Sequence, residues 1–158
     1  GFFARTWCTR EFAEHGLNPN LVQANISYNA RLGTLRGMHY QAAPNEEAKL
    51  VRVTHGAIFD VIVDLRSESP TYMKWVGVEL RAEDYRALYI PEGFAHGFLT
   101  LSDETEVNYL MTAFFVAESA RGFRWDDAAI GISWPAAVNV IAKKDEIWPP
   151  FQQEGRTV

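Results

Sequence analysis

The sequence predicts a single all-β domain of the sandwich or barrel type. Short β-branched and aromatic runs recur along the chain, Gly, Pro, Asp and Ser punctuate them at close intervals, and one stretch alone carries both helix start and stop signals. At 158 residues the chain suits one domain with a sizeable core, spanning 1–158, and leaves little room for a second.

The helix comes first, with Thr9 as N-cap, Glu11, Phe12 and Ala13 in its body and Gly16 as its stop. GTLRGMHYQ, Gly33 to Gln41, reads as a strand in which alternation puts His39 and Gln41 on one face, so both can point into a cavity that this face lines. Lys49–Thr54 and Ala57–Leu65 are β-branched runs joined by His55-Gly56, a hairpin turn. Trp75–Leu80, Arg86–Ile90, Phe98–Leu101 and Glu106–Thr112 continue the series. From Trp125 to Pro150, Trp134-Pro135 and Trp148-Pro149-Pro150 break any regular pattern, so this segment reads as an aromatic wrap over the barrel. No internal repeat or low-complexity segment interrupts the series.

Composition narrows the function classes. With 47% hydrophobic and 22% charged residues the chain is globular rather than disordered. A net charge of -5 argues against nucleic acid as a partner, while leaving room for a small anionic ligand held by local cations. Cys8 is the sole cysteine, which rules out an intramolecular disulfide and a thiolate zinc site and points to a reducing cytoplasm. No apolar run approaches a membrane span, and GFFARTWCTR lacks the pattern of a signal peptide. Phe2 and Phe3 would be exposed there unless upstream residues or a partner cover them.

Two stretches concentrate the chemistry. One is G-x5-H-x-Q, from Gly33 through His39 to Gln41; the other is P-x-G-x-x-H, from Pro91 to His96. In that order they resemble the paired motifs of the cupin superfamily. Metal-binding cupins have a second histidine where this chain has Gln41, and a neutral amide is a poor ligand for zinc or iron. A rival reading, a metal-dependent oxygenase, would recruit His39, Glu46 and His96 as a two-histidine, one-carboxylate triad. Lys49 opposes it, because an ammonium aimed at the same pocket repels a divalent cation.

Longer words narrow the resemblance: LRGMHYQ, AKLVRV, GAIFDVIVDLR, SPTYMKWVGVEL, IPEGFAHGF and RWDDAAIGISWP. In this order, over nearly the whole length, they resemble the dTDP-4-dehydrorhamnose 3,5-epimerase family, also called dTDP-4-keto-6-deoxyglucose 3,5-epimerases. The resemblance implies a cupin-type jelly-roll β-barrel with short peripheral helices, a cytoplasmic homodimer, no metal or other cofactor, and inversion of carbons beside a sugar ketone in deoxysugar synthesis. Family members usually carry extra residues before Gly-Phe-Phe, among them an arginine.

Epimerising a carbon α to a ketone requires a base on one face, an acid on the other and a cation for the enolate. Histidine, which titrates near neutrality, suits the base role, and His39 takes it. By resemblance Asp145 orients that base, Tyr109 is the proton donor and Lys49 the enolate-side cation. The family pattern also places Gln23, Asn25, Arg36, His96 and Lys144 against the nucleotide-sugar, with Arg36 forked toward the diphosphate and Phe115 stacked on the base. Each has an ordinary alternative: a hydrogen-bonded strand histidine, a core tyrosine, a solvated turn aspartate, solvated cations. His15 and His55 read as surface residues, and Asp60, on a strand face with Ile58, Ile62 and Asp64, is either a support for the site or structural.

Departures from the family fall on the binding side. Arg5 and Ala24 stand where carboxylates are usual, Ala120 replaces another near Glu118, and Phe114-Phe115 replaces a tyrosine pair. The nucleotide, the sugar and the number of carbons inverted stay open, and a catalytically silent sugar-binding cupin is the third reading.

Overall fold

A computed structural model describes residues 1–152. Two β-sheets pack face to face in the jelly-roll arrangement. One contains β1 (Gln23–Asn29), β3 (Lys49–His55), β6 (Ala87–Ile90) and β8 (Thr105–Met111), in the order β1-β8-β3-β6. The other is built on β2 (Thr34–Gln41), β4 (Ala57–Asp64), β5 (Trp75–Arg81) and β7 (Phe94–Thr100), in the order β2-β7-β4-β5. Short β9 (Ala120–Gly122) and β10 (Val140–Ile141) add to β2. All pairings are antiparallel except that of β10 with β2.

The patterning explains which faces are covered. Strand β3 alternates, with Val51 and Val53 buried and Thr54 exposed, because one face of its sheet meets the core and the other is open. Strand β4 reads as a nearly unbroken apolar run because both of its faces are covered. Ile58 and Ile62 join Val51, Val53, Phe98 and Val107 between the sheets. Val61 and Val63 join Met38, Phe123 and Ile130 beneath the aromatic wrap, where Trp134 and Phe151 also pack.

Helix α1 (Thr9–Glu14) forms where expected, but Cys8 rather than Thr9 is its N-cap, without a side-chain capping bond. Strand β7 starts at Phe94, not Phe98. Gly97, which looks like a breaker in the sequence, lies inside it because a Cβ there would come within 2.6 Å of the Met38 sulfur and 2.8 Å of the Arg36 carbonyl. The wrap is less irregular than expected, since it carries β10 and the one-turn helix α2 (Lys143–Glu146).

At the end of β4, Asp64 is 1% exposed and saturated with donors: Arg66 Nη2 at 2.7 Å, Arg66 Nε at 2.9 Å, and the hydroxyls of Ser69 and Thr71 at 2.6 Å each. The Arg66 hydrogen bond, helped by both hydroxyls, outweighs burial and holds this carboxyl well below the usual range. A folded-state pKa below the unfolded one means that the stabilisation is complete above the ordinary carboxylate range and fades as pH drops below about 4. Asp64→Ala should therefore cost about 1–3 kcal/mol in urea unfolding at pH 7, with a smaller deficit at pH 3.

Candidate active site

Strand alternation alone would not put Arg36 and His39 on one face. The register of β2 against β7 shifts between them, a bulge that turns both side chains into the space between the sheets while Met38 is driven into the opposite core. Gly37 permits this: its φ is 124°, and a Cβ there would lie 2.5 Å from Gly97 Cα.

The resulting cavity, of about 250 Å³, is lined from one sheet by Arg36, His39 and His96 and from the other by Asn25, Lys49 and Tyr109. Each basic group in it has a partner. His39 Nε2 meets Asp145 Oδ1 at 2.7 Å, His96 Nε2 meets Asp60 Oδ1 at 2.6 Å, Lys49 Nζ meets Glu47 Oε1 at 3.0 Å, and Arg36 Nε donates to Asn29 Oδ1 at 3.0 Å. Asp145 and Asp60 are wholly buried, so two carboxylates sit behind the imidazoles while Arg36 and Lys49 present cations to a ligand. Burial works to raise the Asp145 carboxyl; the hydrogen bond and charge of His39, the Gly37 amide and the charge of Lys144 outweigh it, leaving it below its ordinary value. A carboxylate at Nε2 fixes the proton on that nitrogen and leaves Nδ1 of His39 as the free base. Trp148 lies edge-on to the imidazole, ring centroids 6.2 Å apart.

Tyr109 packs between His96 and Phe98, at centroid separations of 6.0 and 6.4 Å. Burial first, then the charge of Asp60, pushes its phenol well above the ordinary tyrosine range, against a hydrogen bond with Ser27 and the charge of Arg36. The group stays protonated throughout the working pH range.

Six of the predicted residues thus share one cavity: Asn25, Arg36, His39, Lys49, His96 and Tyr109. Asp145 stands behind His39. Gln23 and Phe115 lie outside the cavity lining, where Gln23 Oε1 accepts the Phe115 N–H at 2.7 Å and the Phe115 ring is 65% exposed. Lys144 is an exposed residue of α2 beside Asp145, not a cavity residue. Among the departures, Arg5 pairs with Glu11 at the surface and Ala24 is exposed on β1. His15 and His55 are exposed, as expected.

Two expectations need correction. Gln41 does not share the cavity with His39; it is buried in a network with Glu47, Asn45, Phe114 and Val116. Nor does Glu46 complete a triad with His39 and His96: it is exposed and lines a separate cavity beside Tyr40 and Tyr72, and among the described residues no three His, Cys, Asp or Glu side chains come together as a metal site. Lys49 lines the cavity with His39 and His96, and among the described residues no carboxylate does. Sequence reasoning assigned Glu47 no role, although in extended chain its spacing from Lys49 puts both on one face.

The family model described as dTDP-4-dehydrorhamnose 3,5-epimerase matches residues 1–153. A dTDP-4-dehydrorhamnose 3,5-epimerase of Sinorhizobium fredii is 47% identical over 150 residues, covering 94% of this chain and 77% of that protein. Among solved structures, the enzyme of that name from Bacillus anthracis, with TDP and pyrophosphate bound, superimposes with a TM-score of 0.92 at 41% identity, covering 96% of this chain and 86% of the other. The Legionella pneumophila dTDP-6-deoxy-D-glucose-3,5-epimerase, in complex with dTDP-4-keto-L-rhamnose, gives 0.85 at 37% identity, covering 96% and 87%.

Proposed function

Since the chain belongs to the dTDP-4-dehydrorhamnose 3,5-epimerase family, it is an isomerase of nucleotide-linked 4-keto-6-deoxysugars, and we propose that His39, Tyr109, Lys49 and Asp145 carry its chemistry. The observation that supports these roles best is the placement of an imidazole and a phenol on opposing sheets of one cavity, with an ammonium on the strand next to the one that carries the phenol.

Nδ1 of His39 removes the proton at C3 or C5, and the imidazolium that forms is held by Asp145. The electrons move onto the C4 ketone oxygen, where Lys49 meets charge that develops only as the proton leaves. Tyr109 returns a proton to the opposite face. Arg36 and Asn25 hold the diphosphate side of the substrate, His96 contacts the sugar, and the exposed Phe115 ring, fixed through Gln23, stacks on the base. Lys144, at the surface beside Asp145, is a further ligand contact.

The deciding experiment incubates the protein with dTDP-, UDP- and GDP-linked 4-keto-6-deoxysugars in deuterium oxide, with and without EDTA. Deuterium should enter C3, C5 or both of the dTDP substrate, with inversion and equally well in the chelator. Loss of exchange on chelation would restore a metal-dependent reading, and binding without exchange a silent sugar-binding one.

A homodimer completes the proposal. Ile26 and Tyr28 of edge strand β1 are 64% and 57% exposed, and Phe2 and Phe3 are 65% and 95% exposed. The exposed apolar side chains of the β1 edge, and separately the two phenylalanines, favour burial against a second copy. Light scattering of the purified chain should give twice the monomer mass, and Ile26→Glu with Tyr28→Lys should give the monomer.

A further inference from the structure

Lys49 has a long, flexible stem, yet an enolate cation is useful only when its head is held at one place. The ion pair with Glu47 is almost dry, with the Lys49 and Glu47 side chains 10% and 8% exposed. Glu47 is itself held. Its Oε2 accepts from Gln41 Nε2 at 3.1 Å, and that amide also points at the carbonyls of Asn45 and Phe114, at 2.8 and 3.1 Å, while Gln41 Oε1 accepts the Val116 N–H at 2.6 Å. With an N–H donor on its oxygen side and carbonyls on its nitrogen side, Gln41 has one workable orientation, and in it two amide hydrogens are shared among the Asn45 and Phe114 carbonyls and Glu47 Oε2. One carboxylate oxygen is thereby tied to Gln41 and the other to the ammonium, which keeps two further N–H donors for the cavity.

We infer that Glu47 is the positioning residue for Lys49, oriented by Gln41, so that one buried network sets both the enolate cation and the loop that carries Phe115. The inference rests on the role proposed for Lys49. Glu47 lies outside the cavity lining and acts through its neighbour. A misplaced cation weakens stabilisation that exists only in the transition state, so its loss falls on kcat and spares KM.

The test measures steady-state epimerisation by Glu47→Ala, Glu47→Asp, Glu47→Gln and Lys49→Met, with thermal unfolding of each. Glu47→Ala should lower kcat roughly tenfold or more, short of the 10²–10³ expected for a donor removed outright, with KM within about threefold of wild type. Glu47→Gln keeps one acceptor for Nζ but sets its own –NH2 against the Gln41 –NH2, so it should recover only part of that loss. Glu47→Asp keeps the charge but draws it back by one methylene, so kcat should again fall; this variant decides the matter if Glu47→Ala does not fold. Unchanged kcat in a folded Ala or Asp variant overturns the inference. Lys49→Met separates the two readings: if it turns over like wild type, the cation role has failed, whereas a slow Lys49→Met beside a fast Glu47→Ala leaves that role standing and removes Glu47 alone.

Discussion

His39→Ala should abolish solvent exchange at C3 and C5 together, with both rates falling by roughly 10²–10⁴. One base should serve both carbons: both cavity imidazoles turn Nε2 to a buried carboxylate, but the His39 side chain is 34% exposed and that of His96, across the β2–β7 pair, only 6%. The change is not structurally silent. Asp145 is fully buried, and without His39 it keeps the Gly37 N–H at 3.5 Å and the more distant charge of Lys144. Its carboxyl should then drift upward, and stability should fall by about 1–3 kcal/mol. A companion His39→Gln, whose amide can offer Asp145 a hydrogen in place of Nε2–H, separates the effects: it should unfold closer to wild type and be just as inactive. Exchange persisting at either carbon in NMR time courses assigns the base to another group.

What the sequence disclosed depended on how far each feature relies on contacts distant along the chain. The runs that became β3, β4, β5 and β8 were legible because their apolar periodicity reflects the core directly. Strand β1 was not, since its pattern is inverted: Asn25, Ser27 and Asn29 turn toward the cavity side and Ile26 and Tyr28 face outward, so no core-facing apolar period marks it. Strands β9 and β10 are too short to have a period of their own. In the site, His39 and His96 were marked by motifs, and the register pairs them directly across β2 and β7. Asp145, 106 residues from His39, carries no local sign of its partnership and was reached through family resemblance alone. The bulge that lets Arg36 and His39 share a face, and the separation of Gln41 from that face, were beyond any strict alternation rule.

Tyr109→Phe should uncouple the two half-reactions. The ring remains wedged against His96 and Phe98, and the hydroxyl's bond with Ser27 is what the packing loses, so destabilisation should stay near 1 kcal/mol. His39, Asp145 and Lys49 are untouched, and with them the route to the enolate. The proton at the acidic carbon should keep washing out into solvent. Reprotonation from the far side has lost its donor, and because Tyr109 projects from the sheet facing His39, no group on the base's own side replaces it. Inversion should slow by roughly 100-fold or more, the contribution of a positioned general acid. In deuterium oxide the label should then enter mainly with the original configuration, returned by the histidine that removed the proton. Since burial and Asp60 keep the phenol protonated across the working range, the deficit should not vary between pH 6 and 9, unlike the loss of a group that titrates there. A variant that inverts as fast as wild type would leave Tyr109 as packing for His96 and transfer the acid role to another side chain of the same cavity.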